Sequence, residues 1–203
     1  MTHRFWIRIA SACVALATLA GCGHGGGKEA TSTTAATATT SGAAPATTGE
    51  SWVRPETPPD PQTLLHAGSV AVATVPGSTL VFIASETDDA GTWKVRVATA
   101  DGTAQQVKVG ADGVTVLVDP TPTNDSDADK AKRRADIAAA RLDYSAAVDK
   151  MLAAVPNGSI TRLHLDEANG VTVWEAHVWD TYVVGHLVTV NAVSGDLIGN
   201  KQV

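Results

Sequence analysis

Cysteine is scarce: 203 residues carry two, Cys13 and Cys22, both close to the N-terminus. Cys13 lies inside an apolar leader and Cys22 at its end, so no disulfide within a folded domain and no thiolate chemistry are expected. Stability must then come from burial. Catalytic signatures are lacking as well. There is no His-Glu-x-x-His pair, no Gly-x-Ser-x-Gly elbow and no phosphate-binding glycine loop leading into a helix, and neither an enzyme nor a cofactor is expected. The chain also lacks an excess of basic charge, with Lys+Arg 15 against Asp+Glu 21. Removing residues 1–21 takes away Arg4 and Arg8 and no acid, leaving 13 against 21, or −8. A surface of that sign is not expected to bind nucleic acid or anionic lipid.

What the N-terminus does have is an address. His3, Arg4 and Arg8 form a basic start, and Ile9 to Ala20 is an apolar run well short of the about 20 residues that a permanent span takes. Leu19-Ala20-Gly21-Cys22 then reads as a lipobox. It resembles the bacterial lipoprotein signal, which implies a diacylglycerol on the Cys22 sulfur and cleavage that leaves Cys22 first. The expected location is the cell membrane, lipid-anchored, on its extracytoplasmic side. Residues 22–59 follow as a Gly, Ala, Thr, Ser and Pro tether that has nothing to pack into a core. A flexible chain of that length spans roughly 30–35 Å, and Pro55, Pro58 and Pro59 stiffen its far end.

Beyond the tether the chain repeats itself at an offset near 80 residues. Thr74-Val75-Pro76-Gly77-Ser78 matches Ala154-Val155-Pro156-Asn157-Gly158-Ser159, Trp93 matches Trp174, and Val107 to Ala111 matches Val188 to Ala192. Turns at Asp112-Gly113 and Ser194-Gly195 follow the last pair. Five matches in one order point to two copies of one unit, residues 60–120 and 121–203. In the second copy Ile137, Ala140 or Arg141, Tyr144, Val148, Met151 and Val155 fall at helical spacing. They predict one long helix, ended by Pro156 and Gly158. Pro61 to Val75 is its shorter counterpart, weakened by Gly68.

Period-2 segments follow each helix. They predict strands at 79–85, 92–98, 105–109 and 114–118, then at 160–165, 171–178, 182–190 and 196–198. The expected fold is α+β, two tandem repeats, each a helix packed on an antiparallel β-meander. The helix Ala146 to Ala154 with its Val155-Pro156-Asn157-Gly158 exit, the Trp174 to Val178 strand, and Val188 to Ile198 resemble a PepSY domain. Asn191 stands where that family prefers aspartate and Ser194 where it prefers threonine. The resemblance covers about residues 143–201, with a weaker copy at about 61–118. It implies a non-catalytic module, found in propeptides of thermolysin-like peptidases and in envelope proteins, whose proposed role is peptidase inhibition or regulation. No catalytic residue comes with it.

Two acidic or histidine clusters call for a metal test, and neither is expected to hold one. Asp125, Asp127 and Asp129 have the first spacings of a calcium loop, but Lys130 stands where glycine is needed and Asp136 replaces the terminal glutamate. A helix-capping cluster accounts for them better. His164, Glu175 and His177 share the polar phase of adjacent strands, opposite Leu163, Leu165, Trp174, Ala176 and Val178. They fit an exposed polar sheet face better than a zinc site. Trp93 and Trp174 are expected in the core, and His186 half-buried. Trp179 and Tyr182, at a strand end and turn, are candidates for exposed contact.

The function expected from these residues is a protein- or peptide-binding module held at the membrane through lipid on Cys22. Its candidate partner is an envelope protein or peptidase. The sheet face opposite the helix is the surface for that partner, through Arg162, His164, Glu175, His177 and Trp179. The rival is a small-ligand or lipid-binding envelope lipoprotein, which needs an apolar cavity between helix and sheet.

Overall fold

The computed structural model describes residues 55–89 and 91–203. The leader, Cys22 and most of the tether, with its apolar pair Trp52 and Val53, lie outside the described residues. Among the described residues there are three α-helices, α1 (Pro61–Thr74), α2 (Asp127–Ala139) and α3 (Tyr144–Ala154). The strands are β1 (Ser78–Glu86), β2 (Thr92–Thr99), β3 (Ala104–Val109), β4 (Val116–Pro122), β5 (Ser159–Ala168), β6 (Val171–Trp179), β7 (Gly185–Asn191) and β8 (Leu197–Gln202). All eight form one antiparallel sheet in the order β4-β3-β2-β1-β5-β6-β7-β8. The fold is α+β. In chain order α1 precedes the meander β1 to β4, and α3 precedes the meander β5 to β8. The two meanders meet where β1 pairs β5, with Phe82 opposite His164 and Ala84 opposite Arg162.

Alternation along the strands assigns the faces. Trp93, Val95 and Val97 of β2 and Trp174, Ala176 and Val178 of β6 are buried with α1 and α3 on the first face, whereas Lys94, Arg96, Glu175 and His177 take the other phase. Both tryptophans are fully buried. Only the second has a hydrogen-bond partner for its indole among the described residues, donating Nε1–H to the Leu142 carbonyl at 2.9 Å. Asp60 caps α1 by accepting from the Gln62 amide, with Pro61 already in the first turn. Gly68 proves to be a packing residue: a Cβ there would stand 2.7 Å from the Tyr144 ring and 2.9 Å from Leu80. The absent side chain lets α3 lean on α1, where the Tyr144 hydroxyl donates to the Leu65 carbonyl at 3.2 Å.

The single long helix expected across 137–155 is two helices. Ala140 turns to extended backbone (φ −63, ψ 132), and the Arg141 and Leu142 amides donate to the Ala192 carbonyl instead of continuing the helical ladder. Asp143 then caps α3, accepting from the Ala146 amide at 2.8 Å. Strand ends also differ from expectation. β4 runs on through Pro120 and Pro122, which the sheet tolerates because β4 is an edge strand. β7 begins only at Gly185, because Asp180 folds residues 180–184 into a turn, its carboxylate accepting from the Tyr182 and Val184 amides. Val183 sits in that turn at φ 60.

The break frees α2 to go elsewhere, and it packs on the second face. Ile137 rests on Val81, Ala98 and Ala104 there. The second face is therefore not helix-free, as the sequence implied: α2 covers the end of it that lies over the β2–β3 turn.

Candidate binding site on the second sheet face

The capping box that starts α2 is built by the acidic cluster. Ser126 accepts from the Asp129 amide and the Asp129 carboxylate accepts from the Ser126 amide. Asp129 titrates below its ordinary range through these bonds to the Ser126 hydroxyl and backbone. From this start, α2 is held to the sheet mainly by charge. Arg133 donates to the Gly102 carbonyl at 2.7 Å and to Asp125 at 2.9 Å. Lys132 reaches Asp136 at 2.9 Å on its own helix and Asp166 of β5 at 2.6 Å. Burial pushes the Asp125 and Asp166 carboxyls up, but bonds from Thr123 and Arg133 to the first, and from Lys132 and the Glu167 amide to the second, leave both lowered.

Between α2 and the strands is a cleft of about 420 Å³. Val81, Phe82, Arg96, Arg162, His164, Leu165 and Asp166 line it from the sheet, and Asp125, Asp129, Lys132, Arg133 and Asp136 from the α2 side. Its floor is the nearly buried Phe82 ring, with the Arg96 guanidinium carbon 4.3 Å and the Arg162 one 5.2 Å from the ring centroid. Both are within cation–π range. Beside them His164 Nε2 stands 3.6 Å from Glu175 Oε1. Burial, and then repulsion from Asp166, raise the Glu175 pKa against the pull of Arg162.

Four of the five sequence-predicted contact residues come together here. Arg162 is opposite His177, and His164 is opposite Glu175, across the β5–β6 pair, giving a block of four half-buried polar side chains on the second face. Trp179 does not join them as an exposed contact. It ends β6 with 8% of its surface exposed. The exposed aromatic of that end is Tyr182, at 86%. His186 is buried more deeply than expected, its Nδ1 2.8 Å from the Asn200 side-chain oxygen and its Nε2 3.5 Å from Asp180.

Sequence reasoning missed Phe82, Arg96 and the α2 wall. Arg96 was visible as the polar phase between Val95 and Val97, and Lys94 with it. The placement of Lys132 and Arg133 was not, because it depends on where the chain leaves β4 and re-enters at Asp143. Among the described residues no group of three or more His, Cys, Asp or Glu is placed to hold a metal ion. None of the described helices is long and apolar enough to cross a membrane.

No family model matches the chain, and no curated protein matches it. The PepSY likeness of residues 143–201 thus rests on its sequence pattern. A solved structure provisionally described as that of a lipoprotein, from Clostridium difficile 630, aligns over 66% of this chain and 89% of its own with 15% identity and a TM-score of 0.43. A likeness that distant carries no argument about this chain.

Proposed function

We propose that the chain is a lipid-anchored, extracytoplasmic, non-catalytic module that binds a protein or peptide partner through the second face of its sheet. The observation that carries this is the division of labour between the faces. The first is filled by α1 and α3 over an apolar core, and the second keeps Arg162, His164, Glu175 and His177 side by side at partial exposure. Polar side chains held on rigid strands form a pre-positioned contact surface, which costs a partner little ordering. The two helix-and-meander halves are read as PepSY-like repeats, and regulation or inhibition of an envelope peptidase is the form of binding to which that resemblance points.

The cleft gives the small-ligand alternative its one specific support, but it favours a polar ligand over a lipid, since most of its lining is charged. The experiment is photo-crosslinking in cells from an amber-introduced probe at His177, with a probe at the exposed Lys150 of α3 as control. A defined protein adduct from position 177 and not 150 is the expected outcome. Adducts equal at both positions would remove the assignment of the face. Cys22→Ala in the same cells should release the protein from membranes, because the lipid is the expected anchor. A variant that stays membrane-bound after a salt wash would refute the lipobox.

A further inference from the structure

We propose that the free edge of β8 is a self-association site, at which a second copy of this chain pairs antiparallel and joins the two sheets into one. The strands at the two ends of the sheet hold the same place in their meanders, and they are finished differently. At the β4 end the Thr123 amide donates to the Ala104 carbonyl at 3.1 Å, so residues of that parity face β3 and the alternate ones face outward. Pro122 and Pro120 hold outward positions and have no N–H to offer, which closes this edge to another strand. At the β8 end the Val203 amide donates to the Gly185 carbonyl at 3.0 Å, and the same alternation turns the main chain of Ile198, Asn200 and Gln202 outward. None of these is proline, and β8 is last in the sheet order. One end of the sheet is blunted and the other is left able to accept a strand.

The strand that fits this edge is β8 itself. Its outward residues are symmetric about Asn200, so two antiparallel copies exchange main-chain bonds between Asn200 and Asn200 and, on either side, between Ile198 and Gln202, about six bonds in all. The exposed Leu197 and Ile198 of one copy then lie beside Gln202 and the exposed Val203 of the other. Although the chain is acidic overall, β8 has no acid and one cation, Lys201. In this register Lys201 stands opposite Gly199 of the second copy, so no like charges oppose each other directly. The fold itself gives no reason for that glycine. Its φ is not positive, so the neighbouring register shift does not demand it, and a Cβ there would meet nothing within 4 Å. Glycine inside a strand marks the close approach of another group; the Lys201 stem of the second copy, crossing over Gly199, is such a group. One strand pair is a small interface, and lipid anchors that hold both copies in one membrane raise the concentration at which they meet. The two-fold axis of an antiparallel pair stands perpendicular to the sheet, so both second faces lie on one side and stay open to a partner.

The test is disulfide trapping in cells that express the full chain as two differently tagged copies, one Gly199→Cys and the other Lys201→Cys, with copper phenanthroline as oxidant. Antiparallel neighbours of this kind have Cα atoms about 4.5 Å apart, within disulfide reach. A disulfide joining the two tags is expected. Its yield should far exceed that of the natural chain, whose Cys13 and Cys22 serve as the blank, and that of the exposed β4 pair Asp119→Cys with Thr121→Cys. Gln202→Pro in both copies repeats the β4 device, removing an outward N–H and none that β7 uses. It should lower the yield about tenfold and leave the melt unchanged. No mixed disulfide, an equal yield from the β4 pair, full yield with a folded Gln202→Pro chain, or adducts of Lys201→Cys with a different protein in place of the second copy would each overturn the proposal. The mixed disulfide and its β4 control decide the matter even where the proline unfolds the domain. The adduct from position 177 is read separately, so its loss bears on the second face alone.

Discussion

Replacing Gly102 by alanine should undock α2 and leave the sheet standing. Gly102 has φ 87 in the β2–β3 turn, where a side chain costs about 1–2 kcal/mol in backbone strain alone. Its Cβ would overlap the Lys130 carbonyl oxygen of α2 and lie 2.9 Å from the carbonyl carbon. Those are backbone atoms, which cannot swing aside as a side chain can, so overpacking adds about 1–3 kcal/mol. Against this stand the interactions that seat α2. Ile137 is only partly buried, worth about 1 kcal/mol of its side chain's transfer energy. The well-shielded Arg133–Asp125 pair contributes about 1–2 kcal/mol and the exposed Lys132–Asp166 pair at most about 1. The perturbation, about 2–5 kcal/mol, matches the seat, about 2–4 kcal/mol, whereas the first-face core does not touch Gly102. Hydrogen–deuterium exchange should show amides of 127–139 losing protection while those of β2 and β6 keep theirs, with the cooperative melt little changed. Full protection of α2 in the variant, or a collapse of protection across β2 and β6 together, would refute this account of what holds the helix.

In the core, Trp174→Ala should cost about 3–5 kcal/mol by chemical denaturation, because the ring is fully buried and its indole N–H holds the Leu142 carbonyl; His177→Ala should cost well under 1 kcal/mol. Gly68→Ala should destabilise by about 1–2 kcal/mol despite the better helix propensity of alanine, since the clash with Tyr144 and Leu80 outweighs a gain of about 0.5–1 kcal/mol; a stabilised variant would show that α1 and α3 have room to separate. The turn carboxylates Asp101 and Asp112 are lowered to about 2, the first by bonds from Thr99 and Thr103 and the second by bonds from Thr115 and the Val114 amide. Folded values below the unfolded one mean that their stabilisation is complete above about pH 4 and is lost as pH falls toward 2; carboxyl carbon shifts that titrate near 4 for both would contradict this.

Much of the fold was legible because it depends on local pattern. Alternation placed Trp93, Trp174 and the valines on one face, and Asn169-Gly170, both at positive φ, closes the β5–β6 hairpin as its residue types require. The Val-Pro exits ended α1 and α3 where the prolines stand. Distant partners decided what was not legible. A helical stripe from Ile137 to Val155 is continuous on paper, but Ala192 takes the Arg141 and Leu142 amides and Asp143 restarts the helix, so Ile137 belongs to a different face from Val148. Asp143 was the one local signal of that restart. Trp179 looked exposed because it borders a turn; its burial is set by packing that no window around it contains.

The position of α2 bears directly on the candidate site. Had the chain continued from β4 into one straight helix, the second face would carry only a flat row of charged side chains, open to water and offering weak, screened pairs. With α2 folded over one end, Arg96 and Arg162 lie on the floor of a cleft whose far wall brings Asp125 and Asp129 toward them. Partial exclusion of water there strengthens whatever charge a ligand brings. It also balances the charge of the cleft: Arg96, Lys132, Arg133 and Arg162 share the lining with Asp125, Asp129, Asp136 and Asp166, so a group carrying a large charge of either sign meets repulsion there. Gly102→Ala is consequently a test of function as well as of packing: if the partner uses the cleft, a chain with α2 undocked should give a weaker protein adduct from a probe at position 177, and an undiminished adduct would separate the partner's surface from the cleft.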